Sequence, residues 1–204
     1  MQKSRTQDQR SAATRESLIA AGLTLFGTRG YAAVGTEEIV QTAGVSRGAL
    51  YHQFADKSQL FAAVFESVSA EVIGRITAAI AKSKRSDPIA LLRLGASCWL
   101  DACGEPDVHQ IALVDAPAVL GVTQWRAISA RYGTGLVEGM LARAVDVGRI
   151  KSQPIAPLAH VLLGALREGA IYLADSEDQV RARKEVGTVI DRLVQSLASD
   201  FSAP

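Results

Sequence analysis

Cysteine is nearly absent from this chain. Cys98 and Cys103 are the only two, five apart in a stretch that reads as helix. That excludes a zinc ligand set and a secreted disulfide framework. Two readings stay open for them, buried small hydrophobes or a thiol redox sensor. No apolar run is long enough to span a membrane, and the opening MQKSRTQDQR has no hydrophobic secretion segment, so a cytoplasmic protein is expected. His52, His109 and His160 are the only histidines and lie far apart, without the local spacing of a metal site. The chain has no G-x-S-x-G, no G-x-x-x-x-G-K-[ST] and no H-E-x-x-H, so nothing motivates an enzyme or a cofactor. Charge of one sign is lacking too. A net charge of +1 argues against a basic protein that wraps nucleic acid. Six prolines and little strand-type alternation leave a nearly all-α chain as the expectation.

What is present is apolar residues at helical spacing, 48% of a 204-residue chain that suits one or two domains. The most informative stretch is Thr36–Lys57, TEEIVQTAGVSRGALYHQFADK. Thr36 reads as an N-cap, followed by Glu37 and Glu38 where the helix dipole favours acids. Gly44 stops this short helix, Val45 is expected to drop into the core, and Ser46 restarts the chain as a second N-cap. Two short helices joined by a tight turn containing Gly have the form of a helix-turn-helix.

On the second helix, Leu50 and Phe54 are four apart and share a face assigned to the core. The opposite arc carries Arg47, Gly48, Tyr51 and His52. Gly in a helix costs stability, and close approach of another backbone is one reason to keep it. No acid occurs from Gln41 to Ala55. Residues 1–57 hold seven basic side chains against five acidic ones, a weak bias of the sign a DNA-facing end needs. An acid-free basic and aromatic face on such a motif suits a DNA major groove.

The run Gly44-Val45-Ser46-Arg47-Gly48-Ala49-Leu50-Tyr51-His52-Gln53-Phe54-Ala55-Asp56-Lys57 resembles the DNA-binding signature of the tetracycline-repressor (TetR) family. The resemblance begins upstream at Arg15-Glu16-Ser17-Leu18-Ile19-Ala20-Ala21 and includes Leu25-Phe26 and Arg29-Gly30-Tyr31. It covers about the first third of the chain. It implies an all-α protein of about nine helices. A three-helix DNA-binding domain at residues 12–58 (helix-turn-helix about 36–55) would precede an effector-binding and dimerisation domain at 59–204.

Along the chain, residues 1–11 read as a loose polar tail. Its Lys3, Arg5 and Arg10 either reach phosphates or the minor groove, or are simply solvated. The first helix is expected over Ala12–Thr28, with Ile19, Leu23 and Phe26 facing the core and Gly30 as its stop. Asp56 and Gln59 form a capping box that opens a long helix running to Ser86-Asp87-Pro88. Further helices are expected over Ile89–Cys103, Asp107–Asp115, Gln124–Val147, Pro154–Ala174 and Asp178–Ser199, with a turn at Ala118–Gly121.

The resemblance implies roles position by position. Arg47 would contact bases or phosphates, and Tyr51 and His52 phosphates and groove edges. Thr36 and Ser46 would offer hydroxyls and helix N-terminal amides to phosphates. Lys57 would grip the backbone, and Gln53 lies at the edge of the exposed arc. A competing reading makes Tyr51 a core filler. In the family the last two helices pair with their copies in a symmetric dimer. Gly164, Ala165, Gly169 and Ala170 would let another helix approach closely, and a two-fold dimer reads a near-palindrome.

The body matches less specifically. Val114–Gly121 with Trp125-Arg126 looks like a segment of one family branch. Trp99, Cys103, His109, Trp125, Arg126, His160, Arg167 and Glu168 are candidates to line a small-molecule effector cavity. Each also has an ordinary reading as core, surface or ion-pair residue. The implied function is a homodimeric repressor, with operator DNA and a small effector as partners and no membrane. Alternatives are an activator, a regulator answering to a protein partner, or a helical ligand-binding or catalytic protein that keeps the head only as structure.

Overall fold

The computed structural model describes residues 2–198, with side chains from residue 7 onward. It is helical throughout. Among the described residues the only β-type pairing is a lone antiparallel bridge from Ile150 to Ala198. The chain divides into two compact units, residues 1–69 with 106–125, and residues 70–105 with 126–204. The packing boundary therefore falls inside a helix, eleven residues beyond the end of the DNA-binding domain expected at 12–58, and the first unit also takes in the 106–125 segment.

In the first unit, α1 (Gln2–Arg29), α2 (Thr36–Ala43) and α3 (Arg47–Gln53) build the head, and α4 (Lys57–Lys82) begins there. The tail expected to be loose is instead the first turns of α1, which starts at Gln2. The helix continues because no Gly or Pro interrupts residues 2–21. The expected basic contacts of Lys3 and Arg5 lie outside the described side chains. The core face of α1 is Leu18, Ala21 and Phe26, with Ile19 and Leu23 half-buried at its margin.

Phe26, Tyr31 and Phe61 pack as an aromatic triangle with ring centroids 5.2–5.6 Å apart. Long α4 contributes Leu60, Phe61, Val64, Phe65 and Val68 to this core. Its start is capped as a box with a shift. Asp56 accepts the Gln59 amide at 2.8 Å, while Gln59 reaches back to the Ala55 amide, at 3.0 Å, rather than to Asp56.

The segment that returns to this unit has α6 (Pro106–Val108), a single turn, after α5 (Pro88–Cys103). Residues His109–Asp115 then wind as a π-helix, where a regular helix was expected. They run into α7 (Ala116–Ser129), kinked at Gly121, whose φ of 71° and ψ of 158° are not helical.

In the second unit, α5 packs with α8 (Gly135–Asp146), α9 (Ile155–Ala174) and α10 (Gln179–Gln195). A second π-helical turn, Ala130–Thr134, precedes α8 and interrupts the single helix expected there. Asp87 caps α5 and receives Arg149 through two bonds, at 2.9 and 3.1 Å. Two further arginine pairs join α5 to α10. Arg93 pairs with Asp191, and Arg183 donates to Asp101 at 2.7 Å and to the Ser97 hydroxyl at 2.8 Å.

Candidate nucleic-acid interface

The helix-turn-helix is built by its caps. α2 ends at Gly44, in the left-handed conformation at φ 65°, and the Gly44 and Val45 amides return to the Gln41 and Val40 carbonyls at 3.1 and 3.0 Å. Only Gly takes that backbone without strain, so the turn can be this short. Ser46 Oγ accepts the Ala49 amide at 3.2 Å and starts α3. The N-cap of α2 is Gly35, with no side-chain cap bond, so Thr36 is the first helical residue rather than the cap. Val45 is half-buried, not a core residue.

Leu50 and Phe54 are buried at 0% and 3% exposure and anchor α3 to the head. Two contacts with α1 fix its angle. The Gln53 amide donates to the Ser11 hydroxyl at 2.8 Å, and the Arg15 guanidinium lies over the Phe54 ring at 4.4 Å. Gln53 is thus engaged inside the head, and Ser11 and Arg15 are positioning residues that periodicity alone did not reveal. On α2, Glu38 pairs with Arg29 at the end of α1.

The outward arc of α3 presents Arg47, Gly48, Tyr51 and His52, all exposed. Tyr51, 45% exposed, is no core filler, and the Arg47 guanidinium stands over its ring at 5.7 Å. Gly48 has no internal reason to be Gly. Its φ is not positive, and an added Cβ would meet nothing closer than Ser46 Oγ at 3.9 Å. Ser46 is exposed beside this arc and Thr36 is half-buried.

The Lys57 ammonium, expected to grip a DNA backbone, turns two of its donors to the head itself. Its Nζ donates to the Tyr31 and Val34 carbonyls, each at 2.9 Å, and lies 3.9 Å from the Tyr31 ring centroid. Burial lowers its pKa, against the opposing pull of Asp115. Two of its three N–H donors thus clamp the corner between α1 and α2.

The expected effector residues are dispersed. His109 and Trp125 belong to the first unit, and Trp99, Cys103, Arg126 and Arg167 to the second. Cys103 is buried, Arg126 is exposed, and Arg167 is half-buried with Glu168 3.8 Å away. His160 is exposed and bonds its own helix through the Ala156 carbonyl at 2.9 Å. Burial pushes the Cys103 thiol up to about 12, which leaves it protonated at neutral pH. A groove of about 380 Å³ lies between α5 and α10, lined by Arg93, Leu100, Arg183, Lys184, Thr188 and Arg192 among others. None of the expected effector residues lines it. Among the described residues no cluster of His, Cys, Asp and Glu could hold a metal ion, and no helix is long and apolar enough to cross a membrane.

A three-helix head with a helix-turn-helix and an exposed basic and aromatic recognition face defines a DNA-binding transcriptional regulator. Comparison with known proteins gives the family. Residues 18–64 match the model for bacterial regulatory proteins of the tetR family, and residues 89–197 match that for the tetracyclin repressor-like C-terminal domain. The chain belongs to the TetR family of transcriptional regulators, with its DNA-binding domain at the N-terminus. It is 26% identical over 185 residues to the transposon Tn10 TetC protein of Escherichia coli, covering 88% of this chain and 92% of that one. A TetR-family regulator from Pectobacterium atrosepticum superposes with a TM-score of 0.82 at 28% identity, covering 94% and 97% of the two chains. The fold is shared by RolR, solved in complex with resorcinol, at a TM-score of 0.73 and 18% identity over 97% and 98% of the two chains.

Proposed function

We propose that this protein is a homodimeric repressor that occupies a near-palindromic operator and is released from it by a small-molecule effector. Residues 12–58 form the DNA-binding domain and 59–204 the effector-binding and dimerisation domain. The observation that carries the reading is the outward arc of α3. It is free of acids, it stands out from the head, and its Gly48 is required by nothing among the described residues. A missing side chain at that point admits a phosphate backbone to close range. Arg47 reads a base edge or holds a phosphate, with Tyr51 and His52 on groove edges and phosphates and Ser46 and Thr36 at the helix starts. Lys57 acts chiefly through the corner it clamps.

The dimer reading is supported by large apolar side chains left exposed on the last two helices, Val161 and Tyr172 on α9 and Val189 and Leu193 on α10. A second copy would cover them, and the two-fold pairing would set two recognition helices one DNA turn apart. Of the small residues on α9, Gly164 is open, whereas a Cβ at Gly169 would lie 2.8 Å from Val186 of α10. Gly169 thus serves packing within the chain, and Gly164 is the point of close approach for the copy. Effector control is supported by the fold shared with RolR, a protein solved with a bound small molecule. Release follows when the effector binds better to a state whose heads are wrongly spaced for successive grooves. Such a regulator works in the cytoplasm, with the DNA.

The test is a binding selection on fragmented DNA from the source organism at two salt concentrations. Enrichment of a near-palindrome whose affinity falls as salt rises is expected. Failure to enrich any sequence at either salt would sink the reading.

A further inference from the structure

The unit that carries the DNA-binding motif also contains residues 106–125, and these seat closely on the C-terminal end of α1. A Cβ at Gly27 would lie 2.8 Å from the Asp107 Cβ. One at Gly30 would lie 3.0 Å from the side-chain nitrogen of Gln110 and 3.6 Å from Asp115 Oδ2. Asp115 Oδ2 accepts the Tyr31 backbone amide at 2.7 Å, a part-buried bond between residues 84 positions apart. Tyr31 follows Gly30, whose φ of 77° ends α1. The corner Tyr31–Val34 that leads into α2 is therefore held from two sides. Its first amide goes to Asp115, and its Tyr31 and Val34 carbonyls take the Lys57 ammonium.

Asp115 is aimed at that amide by an unusual backbone. It is the last residue of the π-helical stretch His109–Asp115. A π-helix bonds residue i to i+5 and holds one residue more than an α-turn, and such bulges are rare and concentrate at functional places. Gaining or losing one residue turns everything beyond it by about 100° around the helix axis. A carboxylate that meets Tyr31 N–H in the π winding would point elsewhere in the α winding. The bond therefore reports the winding. Irregular backbone continues downstream at Gly121 and at the second π-helical turn Ala130–Thr134.

We propose that Asp115 is a positioning residue for DNA recognition, holding the α1–α2 corner through the Tyr31 amide, and that the π winding of residues 109–115 is the DNA-competent one. Rewinding to α withdraws the carboxylate and frees the corner. This rests on the regulator reading above and assigns to it a residue and a two-state element. Asn at position 115 keeps an acceptor oxygen of the same reach, whereas Leu keeps the volume without the acceptor.

The experiment measures affinity of the full-length wild type, D115L and D115N for the DNA enriched by the wild type, together with Tyr31 amide hydrogen exchange. D115L is expected to bind about tenfold more weakly, the scale of one lost hydrogen bond, and to exchange the Tyr31 amide faster. The amide of Leu141, in the second unit, is expected to stay unchanged. D115N is expected to restore both amide protection and affinity. D115L binding as tightly as the wild type, or D115N failing as badly as D115L, would overturn the proposal.

Should D115L not fold, the wild type alone decides. Saturating DNA must then slow Tyr31 exchange well beyond any change at Leu141, because coupling is reciprocal. Equal slowing at both amides overturns the proposal. A wild type that enriches no DNA removes the regulator reading itself, a result distinct from DNA binding that Asp115 variants leave intact.

Discussion

The Arg47 guanidinium lies over the Tyr51 ring, 5.7 Å from its centroid, on the exposed side of α3. The pair is one helical turn apart and turns both groups outward together, while Leu50 and Phe54 hold the opposite side in the core. Replacing both with Ala is expected to abolish specific DNA binding. A specific base contact of the kind proposed for Arg47 contributes about 1–3 kcal/mol of affinity in general. Far-ultraviolet circular dichroism and the melting temperature should stay close to the wild type, because neither side chain packs in the core. A double variant that binds the selected DNA as tightly as its parent would displace the interface from this face.

Gly48 gives a prediction of opposite signs. Ala at this position meets open space and gains helix propensity, so Gly48→Ala should stabilise the fold by up to about 1 kcal/mol. On the proposed interface the same methyl group stands where a phosphate backbone approaches, so affinity should fall. Thermal melts and DNA titrations on one preparation check both halves. A variant that gains stability and binds DNA unchanged would mean that nothing comes close to Gly48.

Val189 is 64% exposed on the outer side of α10, with Leu193 one turn further on. Val189→Asp would place a charge in the proposed pairing surface of the last two helices. Such a burial is costly, and a shift from dimer to monomer is expected in sedimentation at micromolar concentration. Helicity should be unaffected, since the position is open in the single chain. Persistence of the dimer would move the interface to another surface.

Asp87 is expected to contribute to an acid limb of stability. The Arg149 guanidinium bonded to it holds its carboxyl below the ordinary carboxylate range, with backbone amides at the start of α5 adding to the effect against the opposing pull of burial. A carboxyl whose folded pKa is depressed stabilises the fold above its unfolded pKa of about 3.9 and loses that stability as pH falls through the folded value. Both side chains are more than a third exposed, so solvent screening limits the contribution to below about 1 kcal/mol. Melting temperatures from pH 6 to pH 2 should fall less steeply for Asp87→Asn, which keeps a capping oxygen. Parallel curves would assign the acid limb to other groups.

The helix-turn-helix was legible because its determinants are near neighbours in the chain. Gly44 for the left-handed stop, Ser46 for the cap, and Leu50 with Phe54 for the core face act within a turn or two of themselves. Their spacing alone orients Arg47, Tyr51 and His52 outward. The same locality made the long helix from Lys57 and the apolar helices of the body readable.

What spacing cannot carry is the identity of the partner across the chain. Whether the Lys57 ammonium goes to DNA or to the Tyr31 and Val34 carbonyls depends on where a corner 23 to 26 positions earlier is folded. Whether Gly169 admits a second copy or Val186 of its own chain depends on how α9 and α10 are paired. The effector candidates share residue type but no local pattern, and they fall in both compact units. The π winding that aims Asp115 at Tyr31 has no local signature either, because the residues from His109 to Asp115 would form an α-helix equally well by propensity. Local hydrogen bonding and helical period thus determined most of the helices and their faces from the sequence alone. Only the tertiary structure, where contacts between distant residues compete for the same donors and the same space, decided which side chains remain free to act.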